Sequence, residues 1–216
     1  MQAHIEQTAN FVRQQLADAE AGHDWWHISR VWNQVKLLLQ HEQADRLVCE
    51  LAALLHDIAD SKFHDGDETV GPHIAGEFLS GIGVAPQVVA HVQDIIRNLS
   101  YNANLGTVTF HSKELEIVQD ADRLDAMGAI GIARAFHYGG YRKRELYNPG
   151  IAPNPDQDKE TYKNSTAPTI NHFYEKLLLL KDKMNTTTAR KIAEERHRFM
   201  VQYLDQFYRE WDALDV

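Results

Sequence analysis

The chain has 216 residues, 44% of them hydrophobic and 25% charged, with a formal net charge of −9, a balance that suits a globular protein able to bury a core without covalent staples. So acidic a chain excludes a dominant sequence-independent attraction to nucleic acid or to an anionic membrane surface, since both rest on clustered Lys and Arg. Cys49 is the only cysteine, which excludes an intrachain disulfide and a thiolate metal cluster and fits a reducing cytoplasm.

The start, MQAHIEQTANFVRQQL, carries no basic segment followed by an apolar one, and no run approaches the ~20 apolar residues that cross a bilayer. A cytoplasmic protein is expected. Helical spacing of polar and apolar residues predicts a first helix over 5–19, and Gly22 with a candidate N-cap at Asp24 ends it and starts the next. The second helix, over 25–39, places Ile28, Val31, Val35, Leu38 and Leu39 on one face, and Trp25, Trp26 and Trp32 read as core. A third, over 44–59, repeats the pattern through Leu47, Leu51, Leu54, Leu55 and Ile58 before HDGDETVGPH breaks it.

Further helices are predicted over 72–79 and 86–99, followed by a loop, SYNANLGTV. The stretch 113–136 is apolar nearly all round, as a helix packed on several sides must be. Residues 138–168 hold glycines, prolines and tyrosines with few aliphatics and read as a long excursion. Residues 169–211 then form a helical hairpin, one arm striped by Ile170, Phe173, Leu177, Leu180 and Met184, the other by Ile192, Phe199, Met200, Tyr203, Phe207 and Trp211. No segment alternates as a strand does, so the fold class is all-α, a single-domain bundle over 1–216 with core motifs in 22–137.

The chemistry begins at LAALLHDIAD, residues 51–60, where an apolar run ends in His56 and Asp57. Burying a charged carboxylate without a partner is costly, and a cation resolves that conflict. His27 precedes the apolar stripe of the second helix, and Asp120, Asp122 and Asp125 lie inside the apolar stretch QDADRLDAMGAIGIARAF. Two imidazoles with two carboxylates make a mixed N/O site suited to Mg²⁺, Mn²⁺, Fe²⁺ or Zn²⁺. Such a site leaves coordination positions open for a water and a phosphate oxygen.

The order His27, then His56-Asp57, then the aspartate of ADRLD, resembles the HD superfamily of metal-dependent phosphohydrolases. DWWHISRV, LLHDIADSKF and QDADRLDAMGAIGIAR look like its bacterial branch with nucleotide pyrophosphatase activity. The resemblance implies an HD-type helical bundle and one divalent metal ion, such as Mn, Mg, Fe, Co or Ni. It implies His27, His56, Asp57 and Asp122 as ligands, Asp120 being the alternative to Asp122. Asp60 stands where many relatives carry Glu three positions after the motif aspartate. At i, i+3 it shares a face with Asp57 and suits proton transfer, and Lys62 is placed for catalysis and for neutralising a phosphate. Arg30, one turn after His27, and Arg142 with Arg144 in HYGGYRKREL are further phosphate-binding candidates.

The implied reaction is hydrolysis of nucleoside or deoxynucleoside triphosphates to monophosphate and pyrophosphate. The alternatives keep the site and change the substrate, to a phosphomonoester or a cyclic or alarmone nucleotide, or make the chain a non-catalytic metal- and nucleotide-binding module. The implied partner is a small nucleotide, with no nucleic acid or membrane, and a homodimer is admitted. Plain structural roles are the competing expectation for Asp24 as an N-cap, for His23, His41, His91 and His111 on the surface, and for His172, Lys176 and Arg196 as ion-pairing residues of the hairpin. His64 and His73, near the HD pair, are candidates for supporting roles.

Overall fold

A computed structural model describes residues 1–17, 24–59, 69–99, 110–156 and 165–214. The expectations placed on His23, Asp60, Lys62 and His64 lie outside the described residues. Among the described residues every regular element is helical, in line with the all-α expectation. The chain separates into two compact units, Met1–Asp122 and Arg123–Val216.

The first unit holds α1 (Gln2–Gln15), α2 (Trp25–Leu38), α3 (Arg46–Leu55), α4 (Val70–Gly81), α5 (Pro86–Leu99) and most of α6 (Lys113–Asp125). Its hub is α3, which packs on α1, α2 and α5 and is buried at every position from Val48 to Leu55. Full burial of Leu51, Leu54 and Leu55 contributes about 1.5–3 kcal/mol each. Short polar caps set the starts of the two helices that flank the candidate site. The Asp24 carboxylate accepts the His27 N–H at 2.9 Å, and Asp45 accepts from Leu47 and Val48 at 2.8 and 3.2 Å, each meeting an amide that a helix start leaves without a partner.

One acid inside this packing is structural. Glu50 is 2% exposed, and its two oxygens accept from Trp32 Nε1 and Arg46 Nε, each at 2.6 Å. Trp32 is thus tied by its polar edge, whereas Trp26 is 66% exposed, so the expectation of core packing fails there. The helical register points Trp26 away from the Ile28–Val31–Val35 face.

The second unit corrects the expectation of one helix over 113–136. The chain breaks at Ala126 and Met127 and restarts as α7 (Gly128–Tyr141), because Gly128 adopts φ +68°, a left-handed value that a side chain disfavours. A Cβ on Gly131 would collide with the Ala126 carbonyl oxygen, so the corner is close-packed on backbone. The helix also outlasts the expected boundary at residue 137. It closes only after Tyr141, where Arg144 N–H reaches the Gly139 carbonyl at 2.9 Å and Lys143 N–H the Gly140 carbonyl at 3.0 Å, with Lys143 at φ 55°, the Schellman pattern of a helix end.

The excursion that follows is pinned across its base, where Thr169 and Ile170 N–H donate to the Glu145 and Leu146 carbonyls at 2.9 and 3.0 Å. The first hairpin arm is a short helix, α8 (Asn171–Glu175), and a 3₁₀ segment, Leu177–Lys183, rather than one α-helix. Its stripe of Ile170, Phe173, Leu177, Leu180 and Met184 is buried throughout, as expected. The second arm, α9 (Thr187–Trp211), buries Ala189, Ala193, Met200 and Leu204, while Phe199 and Trp211 of the expected stripe are about half exposed, at 48% and 47%. Phe136, Phe173 and Tyr203 meet with ring centroids about 6 Å apart and join α7, α8 and α9.

His172 sits at the start of α8, where burial, reinforced by the charges of Lys176 and Arg144, pushes its imidazole down to about 3. The cations Lys176 and Arg144 are thus among its electrostatic neighbours.

Two outcomes follow from these environments. Replacing Trp32 by Phe takes one donor from a buried carboxylate and lowers the unfolding free energy by about 1–3 kcal/mol, read by urea titration. A histidine whose folded value lies below its unfolded one binds its proton more readily once unfolded, so it favours the folded state above pH ~6.5 and that contribution is lost as pH falls toward about 3. His172→Gln should flatten the fall of the thermal midpoint across that window, and an unchanged pH profile would refute the assignment.

Candidate metal centre

The site residues of the first unit are delivered by three helix ends. His27 lies in the first turn of α2, held there by the Asp24 cap, and is 3% exposed. His56 is the residue on which α3 ends and Asp57 follows in the turn, so the HD pair stands just past the helix rather than within it, as an unbroken helix over 44–59 would have had it. Asp122 lies in the last turn of α6, its side chain 41% exposed, whereas Asp120 two residues earlier is fully buried.

What stops α3 also orients its terminal ring. Ala53 is among the last residues whose carbonyls lack a helical amide, and His56 Nδ1 lies 2.9 Å from that oxygen. A carbonyl only accepts, so Nδ1 carries the hydrogen, and in the neutral ring Nε2 is left with its lone pair. Nε2 then faces His27 Nε2 at 3.3 Å and Asp122 Oδ1 at 3.9 Å. Asp122 Oδ1 is also 3.5 Å from His27 Nε2. The two imidazoles meet edge to face, centroids 5.2 Å apart at 71°. His27, His56 and Asp57 each present a donor atom within 4.8 Å of the others.

The donor set suits a divalent cation on two grounds. A ring nitrogen freed by a hydrogen bond on its far side to a carbonyl is the usual state of a ligating histidine. Bonds of about 2.1 Å at right to tetrahedral angles put two nitrogens roughly 3.0–3.4 Å apart, and the observed 3.3 Å lies in that span. His27, His56, Asp57 and Asp122 are thus the residues that could hold a metal.

The remaining candidates divide between the units. Arg30 is on α2, one turn beyond His27. Arg142 and Arg144 belong to the second unit, where the Schellman turn aims both guanidinium groups at one ring. Each lies 5.8 Å from the centre of Tyr138. Arg142 Nη1 contacts the Tyr138 hydroxyl at 3.0 Å and Arg144 Nη2 donates to the Ser165 carbonyl at 2.6 Å. Asp24 serves as an N-cap, as expected. His41 and His111 are exposed, and His73 is a surface residue 3.4 Å from Glu77. His91 departs from the surface expectation: it is half-buried on α5, and its Nε2 lies 3.0 Å from Ser112 Oγ at the start of α6.

Sequence reasoning missed the partners that close the end of α6. Asp125 is buried with Arg134 Nη1 at 2.6 Å, and Arg196 Nη1 donates to the Leu124 carbonyl, which no spacing rule signals because the contact spans 72 positions.

Comparison with known proteins gives the family. The HD domain family matches residues 25–127. The chain is 38% identical to YpgQ of Bacillus subtilis over 98% of its own length and 95% of that protein's. Among solved structures it resembles an HD-superfamily hydrolase from Bacillus thuringiensis, with a TM-score of 0.77, 43% identity and 98% of each chain covered. It also resembles B. subtilis YpgQ in complex with ADP, with a TM-score of 0.76, 36% identity and 96% and 95% of the two chains covered. With a relative this similar along nearly its whole length, and a family match that spans His27, His56, Asp57 and Asp122, the chain belongs to the HD superfamily of metal-dependent phosphohydrolases.

Proposed function

We propose that the enzyme hydrolyses nucleoside or deoxynucleoside triphosphates to the monophosphate and pyrophosphate, with His27, His56, Asp57 and Asp122 holding one divalent metal ion. The observation that carries the metal part is the convergence of two imidazole nitrogens and a carboxylate oxygen within 3.9 Å of one another. The nucleotide part is supported by YpgQ, whose structure contains ADP, and by the pyrophosphatase-like motifs around those residues.

A divalent ion at such a site makes a water more acidic and a phosphoryl group more electrophilic. The chain's own groups supply the rest. The buried α3 hub fixes His56 and Asp57, so little reorganisation accompanies binding. Asp60, three residues beyond Asp57, takes the proton from the attacking water, and Lys62 with Arg30 steadies phosphate charge. Arg142 and Arg144 are further candidates for binding phosphate, since a guanidinium suits a phosphate's oxygens. One cysteine, buried at Cys49 with its thiol pushed up by burial and by Glu114, Asp45 and Glu50, accords with a cytoplasmic setting.

His56→Ala or Asp57→Ala should abolish both bound metal, read by elemental analysis, and triphosphate turnover, with the helical circular-dichroism signal kept. Full activity in the Asp57 variant would sink the proposal. A nucleotide panel run with Mg²⁺, Mn²⁺, Co²⁺ and Fe²⁺ added separately, with products identified, should yield pyrophosphate and monophosphate. Release of orthophosphate alone, or turnover confined to cyclic or alarmone nucleotides, would replace it with a phosphomonoesterase or phosphodiesterase.

A further inference from the structure

Asp122 is unlike the other proposed ligands in how it is held. His27 follows an N-cap and His56 caps its own helix, but Asp122 has a side chain 41% exposed and sits in the last turn of α6, where helices fray for want of amide partners. An aspartate has only two side-chain torsions, so the place of its oxygen follows its backbone. That last turn is bonded by residues beyond the helix, two of them distant in sequence. Leu124's carbonyl accepts from Met127 N–H at 3.1 Å and from Arg196 Nη1 at 2.5 Å. Asp125, 2% exposed, accepts from Arg134 at 2.6 Å. Arg123 Nη1 donates to the Lys183 carbonyl at 2.5 Å.

Arg196 is the member of this set with two independent reasons to be where it is. Its guanidinium places a positive charge on the carbonyl end of a helix, the favoured sign there, while its stem covers the corner glycine. A Cβ on Gly128 would come within 3.0 Å of Arg196 Cγ and 3.3 Å of its Cβ, so the left-handed turn leaves the room that the arginine fills. Burial pulls its guanidinium value down and the Asp125 charge opposes that shift, which places the cation beside a buried anion.

We infer that Arg196 is a positioning residue for Asp122: through the Leu124 carbonyl it fixes the last turn of α6 and so sets where the Asp122 carboxylate meets the His27 and His56 nitrogens. This rests on Asp122 being a metal ligand. Ligands displaced by more than about 0.5 Å lose much of their value, and loss of a group that orients a ligand costs about 10–100-fold in metal affinity.

The test titrates Mn²⁺ alone into the metal-stripped full-length chain, by calorimetry or by the signal of free Mn²⁺ in electron paramagnetic resonance, and records the thermal midpoint of each variant. Arg196→Met should bind Mn²⁺ at least about tenfold more weakly and Arg196→Lys should recover part of the loss. Arg190→Met removes comparable bonds, to the Met184 and Asn185 carbonyls at 3.0 and 3.2 Å, on the same helix without touching α6, and should bind as the unaltered chain does. In an Asp122→Ala background Arg196→Met should weaken binding no further. Unchanged affinity in Arg196→Met, the same fold-loss with and without Asp122, or an equal loss in Arg190→Met overturns the inference, the Lys variant being decisive if the Met variant does not fold. If Asp122→Ala itself binds Mn²⁺ undiminished, the ligand assignment fails first; if it loses Mn²⁺ while Arg196→Met does not, only the positioning role falls.

Discussion

The hydrogen bond from His56 Nδ1 to the Ala53 carbonyl is the contact on which the site depends. It supplies a partner to a carbonyl that the end of α3 would otherwise leave bare, and it commits the hydrogen to Nδ1, which turns the Nε2 lone pair toward His27 and Asp122. Helix termination and ligand preparation are therefore one event. A residue unable to donate at this position would lose the cap and the oriented nitrogen together, which ties the stability of the helix end to the chemistry it presents.

That bond can orient a side chain only because what it is anchored to does not move. Eight consecutive residues of α3, Val48 to Leu55, are buried, so the helix has no solvent face along which to roll. Glu50 is the polar exception, and it is satisfied by Trp32 of α2 and Arg46 of α3, which locks α3 against the helix that carries His27. Burial and one buried acid thus set the separation of the two imidazoles before any ion is considered.

The site was legible in sequence to the extent that it violates helical patterning. His56 and Asp57 interrupt an apolar run, and Asp24 announces the start of α2, so that start could be placed from residues alone, whereas α3 stops at Leu55, short of the end at 59 that its apolar spacing suggests. The α6–α7 corner was not legible, because in a stretch apolar on most faces a break changes no periodicity. The signals there are a single positive φ at Gly128 and the approach of Gly131 to a backbone oxygen, and both are tertiary. The run LLLLKDK fits any helix, and its 3₁₀ form is decided by packing rather than by composition. Arg196 reads in sequence as an ion-pairing residue of the hairpin, because its carbonyl partner, Leu124, lies far off in the chain.

The acids of this chain sort by what faces them. Asp24 and Asp45 face backbone amides, Glu50 an indole and a guanidinium, Asp125 a guanidinium: in each case the acid accepts and its partner donates. Asp122 differs. Its Oδ1 stands 3.9 Å from His56 Nε2, and that nitrogen is itself an acceptor once Nδ1 is committed to Ala53. His27 Nε2, 3.3 Å from one and 3.5 Å from the other, has at most one hydrogen to offer two acceptors. Converging lone pairs repel unless a positive charge stands among them. A proton can answer one such pair, but a divalent cation answers all three atoms at once, and this excess of acceptors over donors separates the proposed ligand set from every structural acid described above.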